Sequence, residues 1–186
     1  MSSTKSFARH CRTVTPHSFA AARELLVRLG APVRLLRHIE LVHEAAELLL
    51  RELVTLGVPL RADFVRVGVA LHDSGKILHP AELDGPGASH EPDGEALLLH
   101  AGVSPELARV CLSHARWDTM EVSFEEIVIA LADKLWKGVR NSRLEERCID
   151  AIAGILGKER WDVFIALDNA FERVAANGQE RLARSE

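Results

Sequence analysis

The most constraining feature of this 186-residue chain is one long apolar stripe. Between Val33 and Leu56, apolar residues fall at positions 35, 36, 39, 42, 45, 46, 49, 50 and 53. Their spacing is near 3.6, the period of an α-helix with one wide buried face. Gly57 and Pro59 follow at once and end the helix. So long an apolar face demands other elements to cover it.

Those elements also read as helical. Pro16 to Leu29 forms a helix ended by Gly30. Ala62 to about Asp73 is apolar nearly all round, which predicts a core helix. Ser104-Pro105-Glu106 places a good cap before proline at the first helical position. Ser123 with Glu126, and Ser142 with Glu145, fit the capping box. A last helix runs from Glu159 to Ala176, closed by Asn177-Gly178. Residues 74–92 hold three glycines and three prolines and read as a loop. A loop that long inside a compact domain is often functional. The expected architecture is an all-α bundle of about seven to eight helices. It occupies residues 16–186 as one domain, with C-terminal helices over 141–178, behind a flexible basic N-terminus at 1–15.

Composition closes other routes. Cys11, Cys111 and Cys148 are far apart and no CxxC occurs, which disfavours a disulfide scaffold or a zinc ribbon. The longest aliphatic run, Ile127 to Ala132, is far too short to span a bilayer. No apolar signal region follows Met1, so a cytoplasmic location without membrane partners is expected. Residues 1–37 carry seven basic groups against one acid, leaving a net charge of −10 downstream. That acidic remainder, with no aromatic interleaving, disfavours a dedicated nucleic-acid binder. Nine histidines in a chain without tyrosine point toward metal or proton chemistry.

Placement on helical faces sharpens that hint. His38 has Leu35, Leu41 and Val42 as helical neighbours and faces inward, whereas His43 lies with Glu40 and Glu47 and faces solvent. His72 and Asp73 end the most apolar helix. His114 sits over Val110, Cys111 and Trp117, and Asp133 beside Ile129, Ala130 and Trp136. A carboxylate in such surroundings is costly unless paired or metal-bound. Each residue alone has a plain structural reading, as a hydrogen-bonded core histidine, a cap or a salt-bridge partner. Together they are ligand types on the inward faces of four helices, a standard way to build a metal site.

These residues carry a family resemblance. Val69-Ala70-Leu71-His72-Asp73-Ser74-Gly75-Lys76-Ile77 resembles the central motif of the HD-domain superfamily of metal-dependent phosphohydrolases. Arg37-His38-Ile39-Glu40 is similar to its first motif and Ala132-Asp133-Lys134-Leu135 to its last. His90 and His114 fit the variant with two metals. The resemblance covers about residues 30–140. Lys76 through Ser89 also looks like the matching stretch of HD-GYP phosphodiesterases, but Asp118-Thr119-Met120-Glu121 replaces the Gly-Tyr-Pro signature. Size and the two added histidines look like bacterial HD enzymes that hydrolyse diadenosine tetraphosphate.

The resemblance implies His38, His72, Asp73 and Asp133 around one ion, with His90 and His114 completing a second and Asp73 bridging. It implies divalent transition metals, two ions of Fe, Mn, Zn or Ni, and a bridging hydroxide as nucleophile. Asp73 and Lys76 carry the catalytic roles. Lys76, Arg116 and Lys137 are the candidate contacts to a small phosphorylated substrate of nucleotide type. The alternative for Arg116 is a pair with Asp118 or Glu121, and Trp117 and Trp136 read as core. His10, His17, His43, His79 and His100 read as structural or surface residues. Two other readings stay open: a metal- or nucleotide-binding regulatory domain without turnover, and a purely structural helical domain.

Overall fold

A computed structural model describes residues 15–185. The basic segment expected at 1–15 therefore lies outside the described residues apart from Thr15, as do His10 and Cys11. The described chain is helical, without strands. Its elements are α1 (Phe19–Arg28), α2 (Val33–Thr55), α3 (Ala62–Leu71), α4 (His90–His100), α5 (Pro105–Ala108), α6 (Val110–Arg116), α7 (Phe124–Leu135), α8 (Ser142–Leu156), α9 (Arg160–Ala176) and α10 (Gly178–Ser185). None of the described helices is long and apolar enough to cross a membrane.

The stripe on α2 is buried as its period requires, from Leu35 and Leu36 through Leu49, Leu50 and Leu53. α3 buries Val65 and the whole run Val67 to Leu71, and packs against α1, α2 and α7. α7 is the central helix, in contact with α2, α3, α6, α8 and α9. Its start is a full capping box: Glu126 N–H donates to Ser123 Oγ at 3.3 Å, and Ser123 N–H to the Glu126 carboxylate at 2.8 Å. Cys111 and Cys148 are buried free thiols.

Four expectations need correction. Residues 74–92 are not a plain loop. Two single 3-10 turns of four residues each, Ser74–Ile77 and Pro80–Leu83, interrupt the segment, and α4 already begins at His90. The cap of α8 is Asn141 rather than Ser142, because the Asn141 side chain accepts from Leu144 N–H at 3.1 Å. Glu145 then takes the Asn141 N–H at 3.1 Å. Asn177-Gly178 does not end the helical chain, since α10 follows directly. Finally, His43 is half-buried rather than exposed, stacked on Phe19 with ring centroids 3.9 Å apart.

Candidate metal centre

Five helices deliver the six expected ligands to one place. His38 projects from α2, and His72 and Asp73 from the end of α3. His90 is the first residue of α4, His114 lies on α6 and Asp133 on α7. Asp73 stands at the middle with its two oxygens facing different partners. Its Oδ2 lies 3.0 Å from His38 Nε2 and 3.4 Å from His72 Nε2. Its Oδ1 lies 3.3 Å from His90 Nε2 and 3.6 Å from His114 Nε2. Asp133 Oδ1 closes the first set, at 3.4 Å from His72 Nε2 and 3.9 Å from His38 Nε2.

The imidazoles are oriented by what holds their outer nitrogens. His72 Nδ1–H donates to Val69 O at 2.7 Å and His114 Nδ1–H to Val110 O at 3.1 Å. His90 Nδ1–H donates to Glu82 Oε2 at 2.5 Å. With the outer nitrogen engaged as a donor, each Nε2 faces the centre, as the nitrogen that a metal would take in place of a proton must. Gly75 explains the approach of α4: a Cβ there would lie 1.9 Å from His90 O. No side chain fits between the turn after Asp73 and the start of α4.

The charges within the cluster are strongly coupled. Burial works against both carboxylates, yet His72 and the neighbouring imidazoles and Lys134 hold Asp73 and Asp133 well below the usual carboxylate range. Burial likewise opposes a charge on His72, but the two aspartates overcome it and push His72 up to about 10. His114 goes the other way, to about 4, through burial and the charge on His72. Lys76 Nζ sits 2.7 Å from Asp73 Oδ2 and Lys134 Nζ 2.9 Å from Asp133 Oδ2. Each ligand carboxylate thus has a lysine beside it.

Over the cluster opens a cavity of about 350 Å³. Lys76 and Lys137, both expected to contact substrate, line it, and so do Arg34 and Lys134. Arg116 is the expected contact that is not brought there. Its guanidinium instead holds Glu91 at 2.6 Å, and neither Asp118 nor Glu121 is its partner. Trp117 is core as expected; Trp136 is buried but also forms a cavity wall, edge-on to His38 with centroids 5.0 Å apart. His79 pairs with Asp93 at 2.6 Å. Sequence reasoning missed Glu82, Glu91 and Ser185, the last two of which line the cavity. Nothing in the local pattern marks them, and Glu91 has its partner, Arg116, 25 residues on.

The donors suit a metal. Two overlapping groups, His38/His72/Asp133 and His72/Asp73/His114, each bring ligand atoms within 4.8 Å of one another. Imidazole nitrogen mixed with carboxylate oxygen favours transition ions over Mg or Ca. The fold and site therefore define an all-helical domain built around a buried His/Asp cluster able to hold a divalent metal. The chain belongs to the HD domain family, whose model matches residues 9–137. No curated protein and no solved structure gives a significant match. Domains of this family are generally metal-dependent hydrolases.

Proposed function

We propose that the protein is a metal-dependent phosphohydrolase that cleaves a phosphate ester or anhydride of a nucleotide-type substrate. The observation that carries this reading is the division of Asp73, with Oδ2 toward His38 and His72 and Oδ1 toward His90 and His114. A carboxylate so shared is the residue that would bridge two ions. His38, His72, Asp73 and Asp133 would hold one and His90 and His114 the other. Bound divalent ions supply charge neutralisation and acidify water, the two things a phosphate ester needs for hydrolysis.

The chain's own residues do the rest. Lys76 and Lys134 stand at the cavity floor on the two ligand carboxylates, where their ammonium groups can turn to phosphoryl oxygens. Arg34 and Lys137 add positive charge on the walls, which compensates the net negative charge of the protein for an anionic substrate. Arg34 is tied to Asp84, which limits the directions its guanidinium can take. Burial of Asp73 and His72 keeps bulk water away from the reacting centre.

The test joins metal quantification of the purified protein to a phosphohydrolase screen over mononucleotides, dinucleoside polyphosphates and cyclic dinucleotides. Transition metal is expected with the protein, together with metal-dependent release of phosphate or nucleotide. Asp73→Ala should lose both metal retention and turnover. Full activity in that variant overturns the proposal.

A further inference from the structure

α10 lies beyond the residues matched by the HD domain family and is polar over most of its length, yet it is anchored like a core element. Arg181 is only 1% exposed. Its Nε donates to Trp136 O at 2.6 Å, and one Nη donates to Leu135 O at 3.0 Å and Val174 O at 2.5 Å. Leu135 and Trp136 end α7 directly after Asp133 and Lys134. Their carbonyls belong to the last turn, where Leu135 O also takes the Gly138 N–H at 3.0 Å and Lys134 O the Val139 N–H at 3.2 Å. One buried guanidinium adds donors to Leu135 O and Trp136 O at the exit of the helix that carries Asp133.

The other end of α10 reaches α2. Arg184 forks onto Glu44 at 2.8 and 2.6 Å. The Arg184 carbonyl accepts from Arg37 Nε at 2.8 Å, and Arg37 immediately precedes His38. Ser185 lines the cavity. At its start, α10 seats on the turn after α7: a Cβ on Gly178 would lie 2.3 Å from Gly138 N. Trp136, whose carbonyl Arg181 holds, packs edge-on against His38. Thus α10 is bonded to α2 and to the end of α7, which supply His38 and Asp133, and to neither α4 nor α6, which supply His90 and His114.

We infer that α10 is a clamp that sets the spacing of His38 and Asp133, with Arg181 as its positioning residue, and that it acts on one half of the metal centre only. This rests on the reading of the cluster as a metal site. Residues that orient metal ligands through hydrogen bonds typically govern about ten- to hundred-fold in metal affinity. The clamp should do so for the ion held by His38, His72 and Asp133, and leave the His90/His114 side alone.

Cobalt(II) titration of the full chain, followed by calorimetry and visible absorption, tests this. His38→Ala and His90→Ala mark which binding event belongs to which side. Arg181→Met and Gly178→Ala probe the clamp, the second without taking the guanidinium donors away from the carbonyls of Leu135, Trp136 and Val174. Both should weaken the event missing in His38→Ala by about ten-fold or more, and keep the event missing in His90→Ala within two-fold. Thermal midpoints are recorded alongside, and Gly178→Ala carries the test if Arg181→Met fails to fold. Equal weakening of both events, or weakening of neither, overturns the clamp. A wild-type chain that takes up no cobalt overturns the metal reading itself, and the clamp with it.

Discussion

Glu82 accepts the Nδ1–H of His90 at 2.5 Å and the backbone N–H of the same residue at 3.1 Å, so one carboxylate fixes both the ring and the chain that carries it. It also takes the Ser89 N–H at 3.3 Å. The second 3-10 turn thus exists in register with the start of α4. His90 enters the site already oriented, and its Nε2 has no choice but Asp73.

Replacing Glu82 by alanine should cost about ten- to hundred-fold in affinity on the His90 side of the centre. Glutamine, which keeps an acceptor but loses the charge, should fall between alanine and wild type. Competition with a chelator of known affinity measures both.

Gly75→Ala should be far more damaging than its size suggests. The added methyl would meet the backbone of His90 and Gly94 rather than a movable side chain, at 1.9 and 2.8 Å. The chain can only respond by shifting α4, at a cost of about 2 kcal/mol or more. Denaturant unfolding should show a lower midpoint, and His90-side metal affinity should drop in parallel.

Lys137→Ala and Arg34→Ala should separate binding from chemistry. Both residues line the cavity without touching the ligand carboxylates through any bond described above. Each should raise KM for a phosphorylated substrate by roughly five-fold, equivalent to about 1 kcal/mol, with kcat little changed. Arg116→Ala should raise KM only indirectly, because it leaves the cavity-lining carboxylate of Glu91 without its partner, and Glu91→Gln in the same chain should cancel that rise.

Acid should weaken the fold at the α1–α2 contact. Burial against Phe19 lowers the pKa of His43 from its ordinary 6.5, with Glu47 opposing. The unfolded chain therefore takes up a proton before the folded one does. This contribution is complete above pH 6.5 and is lost as pH falls toward the lowered value. Glu47, held below its ordinary 4.5 by its hydrogen bond to Arg66, adds a second loss at lower pH. The thermal midpoint should decline from pH 6.5 downward, with His114 contributing over the same range, and His43→Phe, which keeps the stack, should reduce the first part of that decline without removing it.

Much of this arrangement is readable in the sequence, for a physical reason. The α2 stripe and the apolar run of α3 are local patterns, and a buried helix must show them. The ligands are readable because His38, His114 and Asp133 break an apolar face, and because His72 and Asp73 sit at the end of the most apolar helix. What escapes reading is set by long-range pairing. Glu82 looks like any loop acid until α4 folds onto it. Arg116 looks like a phosphate clamp until Glu91 appears across from it. α10 looks like a polar tail, because two of the carbonyls that hold Arg181 lie 45 and 46 residues earlier in the chain. Asn141 displaces Ser142 as a cap because both can serve, and the path of the chain decides which one does.

The placement of Trp136 also has an optical consequence. The chain has no tyrosine, so its near-ultraviolet emission comes from Trp117, Trp136 and Trp161 alone. Trp161 is 74% exposed on α9 and can be silenced by a soluble quencher, whereas Trp136 lies buried with its ring against His38. The light that survives such quenching comes from Trp136 and from Trp117, which is 8% exposed. The protein carries its own lamp beside His38, and a paramagnetic ion arriving there would dim it without any label being attached.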